Sequence, residues 1–154
     1  MKERVAMFAG TFDPFTRGHL DILRRGLMLF DKVVVCIGYN ASKNRACEQD
    51  LLARKDSILC IAGHDPRVDV IVHGGLTVDA ARQHGAVALL RGVRSMSDFD
   101  YESRLADINR RLTGIETVLI VADPRWAGVS SSVVRELQSY GADVSAFVPN
   151  DNEL

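Results

Sequence analysis

Five short stretches rich in valine, isoleucine and leucine recur along this chain, with segments of helical apolar spacing between them. They run Arg4 to Ala9, Lys32 to Gly38, Val68 to His73, Ala86 to Arg91 and Thr117 to Ala122. Several contain a stretch apolar at every position, among them Val33-Val34-Val35-Cys36-Ile37, Val87-Ala88-Leu89-Leu90 and Val118-Leu119-Ile120-Val121. A strand with one wet face alternates; a strand covered on both faces does not. The pattern therefore predicts a parallel sheet with helices packed on both sides.

The intervening segments supply those helices. Leu20, Leu23, Leu27 and Phe30 repeat at helical spacing, and Leu51, Leu52, Ile58, Leu59 and Ile61 mark a second helix ending near Gly63. Val78 to His84 is a short third, stopped by Gly85. Tyr101, Leu105, Ile108 and Leu112 form the stripe of a long fourth, closed by Gly114. Val133, Val134, Leu137 and Tyr140 form a fifth, closed by Gly141. Strict alternation of strand and helix predicts a doubly wound, five-stranded, mostly parallel α/β sheet with right-handed crossovers. The 154 residues show no linker or repeat, and 1–154 reads as a single domain. Ligands of such sheets sit beyond the carboxyl ends of the strands, so the loops after Ala9, Gly38, His73, Arg91 and Ala122 are the ones to inspect.

A net charge of −1 gives no global attraction to nucleic acid or an anionic membrane, so any anion must be met by local basic groups. No apolar run approaches the roughly 20 residues that span a bilayer, and Val5 to Ala9 is too short for a signal-peptide core. Cys36, Cys47 and Cys60 are odd in number and lack C-x-x-C spacing, which speaks against disulfides and a zinc site. A cytoplasmic protein is expected.

The first loop reads Gly10-Thr11-Phe12-Asp13-Pro14-Phe15-Thr16-Arg17-Gly18-His19. It is neither a Walker A loop nor a G-x-G-x-x-G fingerprint. His19 falls in the first helical turn, where free N–H groups and the helix dipole favour phosphate, and an imidazole there can donate to a phosphoryl oxygen as charge builds. A lone histidine in this position is ordinarily a cap or a packed ring. The framing glycines at a strand-to-helix turn favour the phosphate reading.

Gly10-Thr11-Phe12-Asp13-Pro14 followed by Thr16-x-Gly18-His19 resembles the signature of the nucleotidyltransferase superfamily in its Thr-x-Gly-His form. That resemblance implies a Rossmann-like nucleotidyltransferase fold. By itself it names the superfamily rather than the substrate.

Two further segments carry phosphate chemistry. Arg91-Gly92-Val93-Arg94 leaves the fourth strand, and guanidinium forks match phosphoryl oxygens bidentately; the alternative is surface arginines paired with Asp98 or Asp100. Ser130-Ser131-Ser132 opens the fifth helix, where serines commonly cap, yet three in a row also make a donor-rich cup. Together with Asp98-Phe99-Asp100-Tyr101-Glu102 and Asn109-Arg110, the arginine segment is similar to the phosphopantetheine adenylyltransferase family. The resemblance implies that Arg91 holds the acceptor phosphate, that Gly92, Val93 and Arg94 contact the ATP phosphates, and that Glu102 contacts the nucleotide. It also implies that Thr11, Phe12 and His19, and Trp126-Ala127-Gly128-Val129-Ser130-Ser131-Ser132, line the ATP site. Lys43 would neutralise the acceptor and the transferring phosphoryl group, and Thr77 would meet the pantetheine arm. The chain departs from the family pattern at Ala9, where proline is frequent, and after Lys43, where the usual proline and phenylalanine are missing.

The expected reaction is transfer of an adenylyl group from ATP to 4′-phosphopantetheine, giving dephospho-coenzyme A and pyrophosphate. The acceptor is already an anion, and the loops offer no Ser-His-Asp set or carboxylate dyad, so no general base is required. His19, Lys43 and Arg91 would be the catalytic groups, with Mg²⁺ carried by ATP rather than by protein ligands. The family further implies a homohexamer and coenzyme A as a feedback ligand. A transferase with another acceptor, or a silent nucleotide-binding module, are the rival readings.

Overall fold

A computed structural model of the chain describes residues 1–40, 42 and 47–154. Ten elements alternate without exception: β1 (Val5–Gly10), α1 (Arg17–Leu29), β2 (Lys32–Gly38), α2 (Glu48–Ala62), β3 (Val68–His73), α3 (Thr77–Gln83), β4 (Ala86–Val93), α4 (Met96–Thr113), β5 (Glu116–Val121) and α5 (Ser131–Ser139). The sheet runs β3-β2-β1-β4-β5 with every pairing parallel, where the sequence predicts only a majority. Gly10 stands level with Ile37, Gly38 with His73 and Val93 with Val121, so the strands end along one edge. The chain winds outward from β1 to β3, then returns to lay β4 on the other side of β1. A cleft opens at that reversal.

The continuous apolar runs hide an alternation. On β1, Ala6 and Phe8 enter a core with Leu20 and Leu23 of α1 and Ile58 of α2. Met7 and Ala9 enter a second core with Val78 and Ala81 of α3. A side-chain period of two feeds two cores only when both sheet faces are covered. Helix α1 lies so close to β4 that a Cβ on Gly26 would stand 2.4 Å from Leu90 Cδ2; the absent side chain permits the approach. Residues 147–154 fold back over α1 and α2. The Arg17 N–H donates to the Phe147 carbonyl, the Arg17 guanidinium bonds Glu153, and the Asn152 N–H donates to the Cys60 carbonyl.

Helix α4 departs from its sequence reading. It forms, with Ser95 Oγ accepting from the Asp98 N–H at 3.1 Å, but its stripe does not enter the core. Tyr101, Ile108 and Leu112 are 63%, 53% and 60% exposed, and the buried α4 residue is Glu102. Periodicity identifies a face without saying what covers it. Here the sheet presents Arg91 to the helix, and the carboxylate turns inward to meet it. Among the described residues, no helix is long and apolar enough to cross a membrane.

Gly114 ends α4 in the left-handed region at φ 76°, and a Cβ there would meet nothing within 4 Å. Gly114→Ala should therefore cost only the backbone penalty, about 1 kcal/mol in urea unfolding.

Candidate active site

The Thr-x-Gly-His element is a reciprocal helix cap. Thr16 is the N-cap of α1, and its Oγ1 accepts from the His19 N–H at 3.4 Å. In return the Thr16 N–H donates to His19 Nδ1 at 2.9 Å. This is a capping box with imidazole in place of the usual Glu or Gln. The capping reading of the sequence is thus met, and His19 also lines the cavity of the site.

That bond also sets the chemistry of the ring. Nδ1 accepts, so it carries the lone pair, and the proton of the neutral imidazole sits on Nε2 as a donor. Phe12 and Phe15 pack on the ring at centroid distances of 5.0 and 5.4 Å. Desolvation, reinforced by the charges of Arg94 and Arg91, lowers the His19 pKa to about 4. His19 is thus an uncharged hydrogen-bond donor at neutral pH.

The basic loop is more tightly engaged than its sequence suggests. Arg91 donates from Nε and Nη2 to Glu102 at 3.0 and 2.7 Å, and from Nη1 to the Ala9 carbonyl at 2.6 Å. Its pairing is with Glu102 rather than Asp98 or Asp100. With 30% of the Arg91 side chain and 8% of Glu102 exposed, the fork is fixed on the sheet edge at the switch point. Arg94 is looser, its Nε 3.5 Å from Asp98 Oδ2 and its N–H donating to the same oxygen at 3.0 Å.

The three serines divide their work. Ser130 caps α5 by accepting from the Val133 N–H. Ser131 Oγ donates to the Pro14 carbonyl at 2.8 Å, tying α5 to the first loop. Ser132 Oγ lies 3.4 Å from Arg135 Nη2, while Arg135 Nη1 donates to the Asp13 carbonyl at 2.6 Å.

These groups surround one cavity of about 790 Å³. Thr11 and Phe12 line it from the first loop and His19 from the first turn of α1; Arg91 and Gly92 from the end of β4 and Arg94 just after it; Glu102 from α4; Thr77 from α3. Trp126 and Val129 to Ser132 close the far side. Phe12 borders the cavity but is almost wholly buried, its ring packed against Phe8, Phe15 and His19. Val93 is buried in the core, and Ala127 and Gly128 lie on the turn without forming cavity wall. Lys43 falls outside the described residues. Tyr39, Asn40, Asp98 and Tyr101 also line the cavity, though sequence reasoning did not single them out as site residues. Tyr39 and Asn40 directly follow β2, on a strand end worth inspecting; Tyr101 is disguised as part of an apolar stripe.

Among the described residues, no cluster of three His, Cys, Asp or Glu side chains could hold a metal ion. The cavity lining includes the cations Arg91 and Arg94 and the hydroxyls of Thr11, Thr77, Ser130, Ser131 and Ser132, donors suited to an extended anion, while the acids Glu102 and Asp98 are engaged by Arg91 and Arg94.

This geometry has two measurable consequences. Folded His19 takes up its proton only near pH 4, whereas an unfolded histidine does so near 6.5. Unfolding therefore binds a proton between those values, so this contribution is full above about pH 6.5 and falls as pH drops toward 4. In urea unfolding across that range, His19→Gln, which keeps a capping-box side chain, should show a shallower decline. Removing the acid of the half-buried pair leaves Arg91 uncompensated, so Glu102→Ala should cost about 2 kcal/mol in the same measurement.

Comparison with known proteins agrees with this geometry. The cytidylyltransferase-like family model matches residues 7–137. A protein of Porphyromonas gingivalis named phosphopantetheine adenylyltransferase is 51% identical over 149 residues, covering 97% of this chain and 96% of the relative. Proteins of the same name from Cytophaga hutchinsonii and Bacteroides thetaiotaomicron are 45% and 42% identical, covering 95% and 98% of this chain and 97% and 99% of their own lengths. The chain belongs to the phosphopantetheine adenylyltransferase family of cytidylyltransferase-like nucleotidyltransferases.

Proposed function

We propose that this protein transfers the adenylyl group of ATP to 4′-phosphopantetheine by direct in-line attack, yielding dephospho-coenzyme A and pyrophosphate. The observation that carries the reading is the state of His19. Its Nδ1 is occupied by the Thr16 N–H and its pKa is lowered to about 4. A ring so held is suited to donating from Nε2 rather than to accepting a proton from a nucleophile. The acceptor phosphate needs no such base, because it is an anion already. Its oxygen attacks the α-phosphorus, the bond to the bridging oxygen of the β-phosphate breaks, and pyrophosphate leaves with the electron pair.

Catalysis then consists of alignment and charge stabilisation. His19 donates to the α-phosphoryl oxygens as they gain charge. Arg91, oriented by Glu102 and the Ala9 carbonyl, meets the acceptor phosphate together with Thr11 and Lys43. Arg94 and the serine turn receive the β- and γ-phosphates, and Thr77 borders the space for the pantetheine arm. The donor-rich wall suits a triphosphate that brings its own Mg²⁺, which would neutralise charge on the departing pyrophosphate. Glu102 borders the nucleotide through its helix, while its carboxylate remains with Arg91.

The same reading places the protein in the cytoplasm, with coenzyme A as a feedback ligand of this cavity. A homohexamer belongs to the same reading through the family resemblance; the exposed Ile108 and Leu112 of α4 leave apolar surface for contact with further copies.

The test is steady-state pyrophosphate release with ATP and phosphopantetheine, set against a panel of other nucleoside triphosphates and phosphorylated acceptors. Turnover should be confined to ATP with phosphopantetheine. Preference for another acceptor would replace the assignment, and ATP binding without turnover on any acceptor would make the chain a binding module. His19→Ala should lower kcat by about 10²–10³ with far less effect on ATP affinity, as for a donor used mainly in the transition state.

A further inference from the structure

Arg54 lies on α2, away from the cavity wall, and its guanidinium reaches the first loop. Nη1 donates to the Thr11 carbonyl at 3.3 Å, and Nη2 stands 3.4 Å from Asp13 Oδ2. The Arg54 side chain is 18% exposed, and Asp13 opposite it is 46% exposed, so the pull on the loop comes from the forked geometry rather than from burial of the ion pair.

The loop between β1 and α1 has no ladder of its own, so its carbonyls need partners elsewhere. Three find them in side chains of distant elements. The Thr11 carbonyl accepts from Arg54, the Asp13 carbonyl from Arg135 and the Pro14 carbonyl from Ser131. The last two anchors come from α5. Arg54 comes from a different helix, α2.

The anchored peptide matters because it leads directly into Phe12. That residue has φ +48°, a left-handed backbone that a bulky residue keeps only when its surroundings hold it there. Phe12 borders the cavity although the residue as a whole is 2% exposed. In a planar trans peptide the C=O and N–H point in opposite directions. Drawing the Thr11 carbonyl toward α2 thus turns the Phe12 N–H away from α2.

We propose that Arg54 is a positioning residue for adenylyl transfer. It holds the Thr11–Phe12 peptide so that the Phe12 N–H and the Thr11 side chain face the cavity where donor and acceptor phosphates meet. The inference rests on the reaction proposed above. Arg54 itself touches no substrate and acts through the loop.

The experiment measures pyrophosphate release from ATP and phosphopantetheine by full-length Arg54→Ala, Arg54→Lys and Asp13→Asn, with thermal unfolding and calorimetric ATP binding on the same samples. Arg54→Ala should lower kcat by on the order of 10²-fold, the scale of a roughly 1 Å misplacement of reacting groups, with a much smaller change in ATP affinity. Methylguanidinium in the assay should restore part of that loss. Arg54→Lys keeps a charge for Asp13 but cannot fork to both acceptors, and should fall between Arg54→Ala and wild type. Asp13→Asn leaves the bond to the Thr11 carbonyl and should stay near wild type.

Folded Arg54→Ala or Arg54→Lys with wild-type kcat would overturn the proposal, as would Asp13→Asn as slow as Arg54→Ala. Should Arg54→Ala fail to fold, Arg54→Lys decides alone: an intermediate kcat supports the role and a wild-type kcat removes it. A wild-type chain that binds ATP yet releases no pyrophosphate removes the reaction and this inference together. Wild-type turnover with unaffected variants removes the inference alone.

Discussion

The bond between the Thr16 N–H and His19 Nδ1 governs the site more than any other contact, because it acts at two levels. Locally it completes the reciprocal cap that starts α1 at Arg17. Chemically it consumes the acceptor nitrogen of the imidazole and leaves Nε2 as a donor. The aromatic rings of Phe12 and Phe15 then shield the ring, so the uncharged form persists to low pH. One geometry begins the helix, sets the tautomer and determines the protonation state.

Around that cap the first loop is held by two other helices. Ser131 and Arg135 on α5 and Arg54 on α2 each satisfy a loop carbonyl. This is how a segment without regular hydrogen bonding can be rigid enough to place reacting groups. The basic loop obeys the same logic. Arg91 is held by a bidentate carboxylate and the carbonyl of Ala9, so its fork is aimed before any ligand arrives. The acid that aims it occupies the inward position of α4, whose apolar residues are left for solvent or a partner.

Much of this was legible in the residues. Continuous apolar runs predicted strands covered on both faces, which holds for β2 but not for the edge strand β5, where Val121 is 71% exposed; β2 and β3 fall on the predicted residues. The Gly10-to-His19 loop, the arginine pair and the serine turn converge on a single cavity, because all of them leave carboxyl ends of strands at one sheet edge. The misreadings have physical causes. Tyr101, Ile108 and Leu112 have the spacing of a core stripe, but spacing does not reveal that the sheet offers α4 an arginine. Arg54 carries no signal in the sequence because its partners, Thr11 and Asp13, lie more than forty positions earlier.

The sequence by itself determined the alternating α/β plan, the single edge on which the chemistry would gather and the residue types available there. Those depend on local periodicity and turn chemistry, which are written in neighbouring residues. Only the tertiary structure decided that His19 is neutral with its proton on Nε2, that Glu102 serves Arg91, and that Arg54 reaches the first loop. Protonation depends on burial and on charges brought in from other strands, and hydrogen-bond partners depend on which distant elements pack together. Neither quantity exists until the chain has folded.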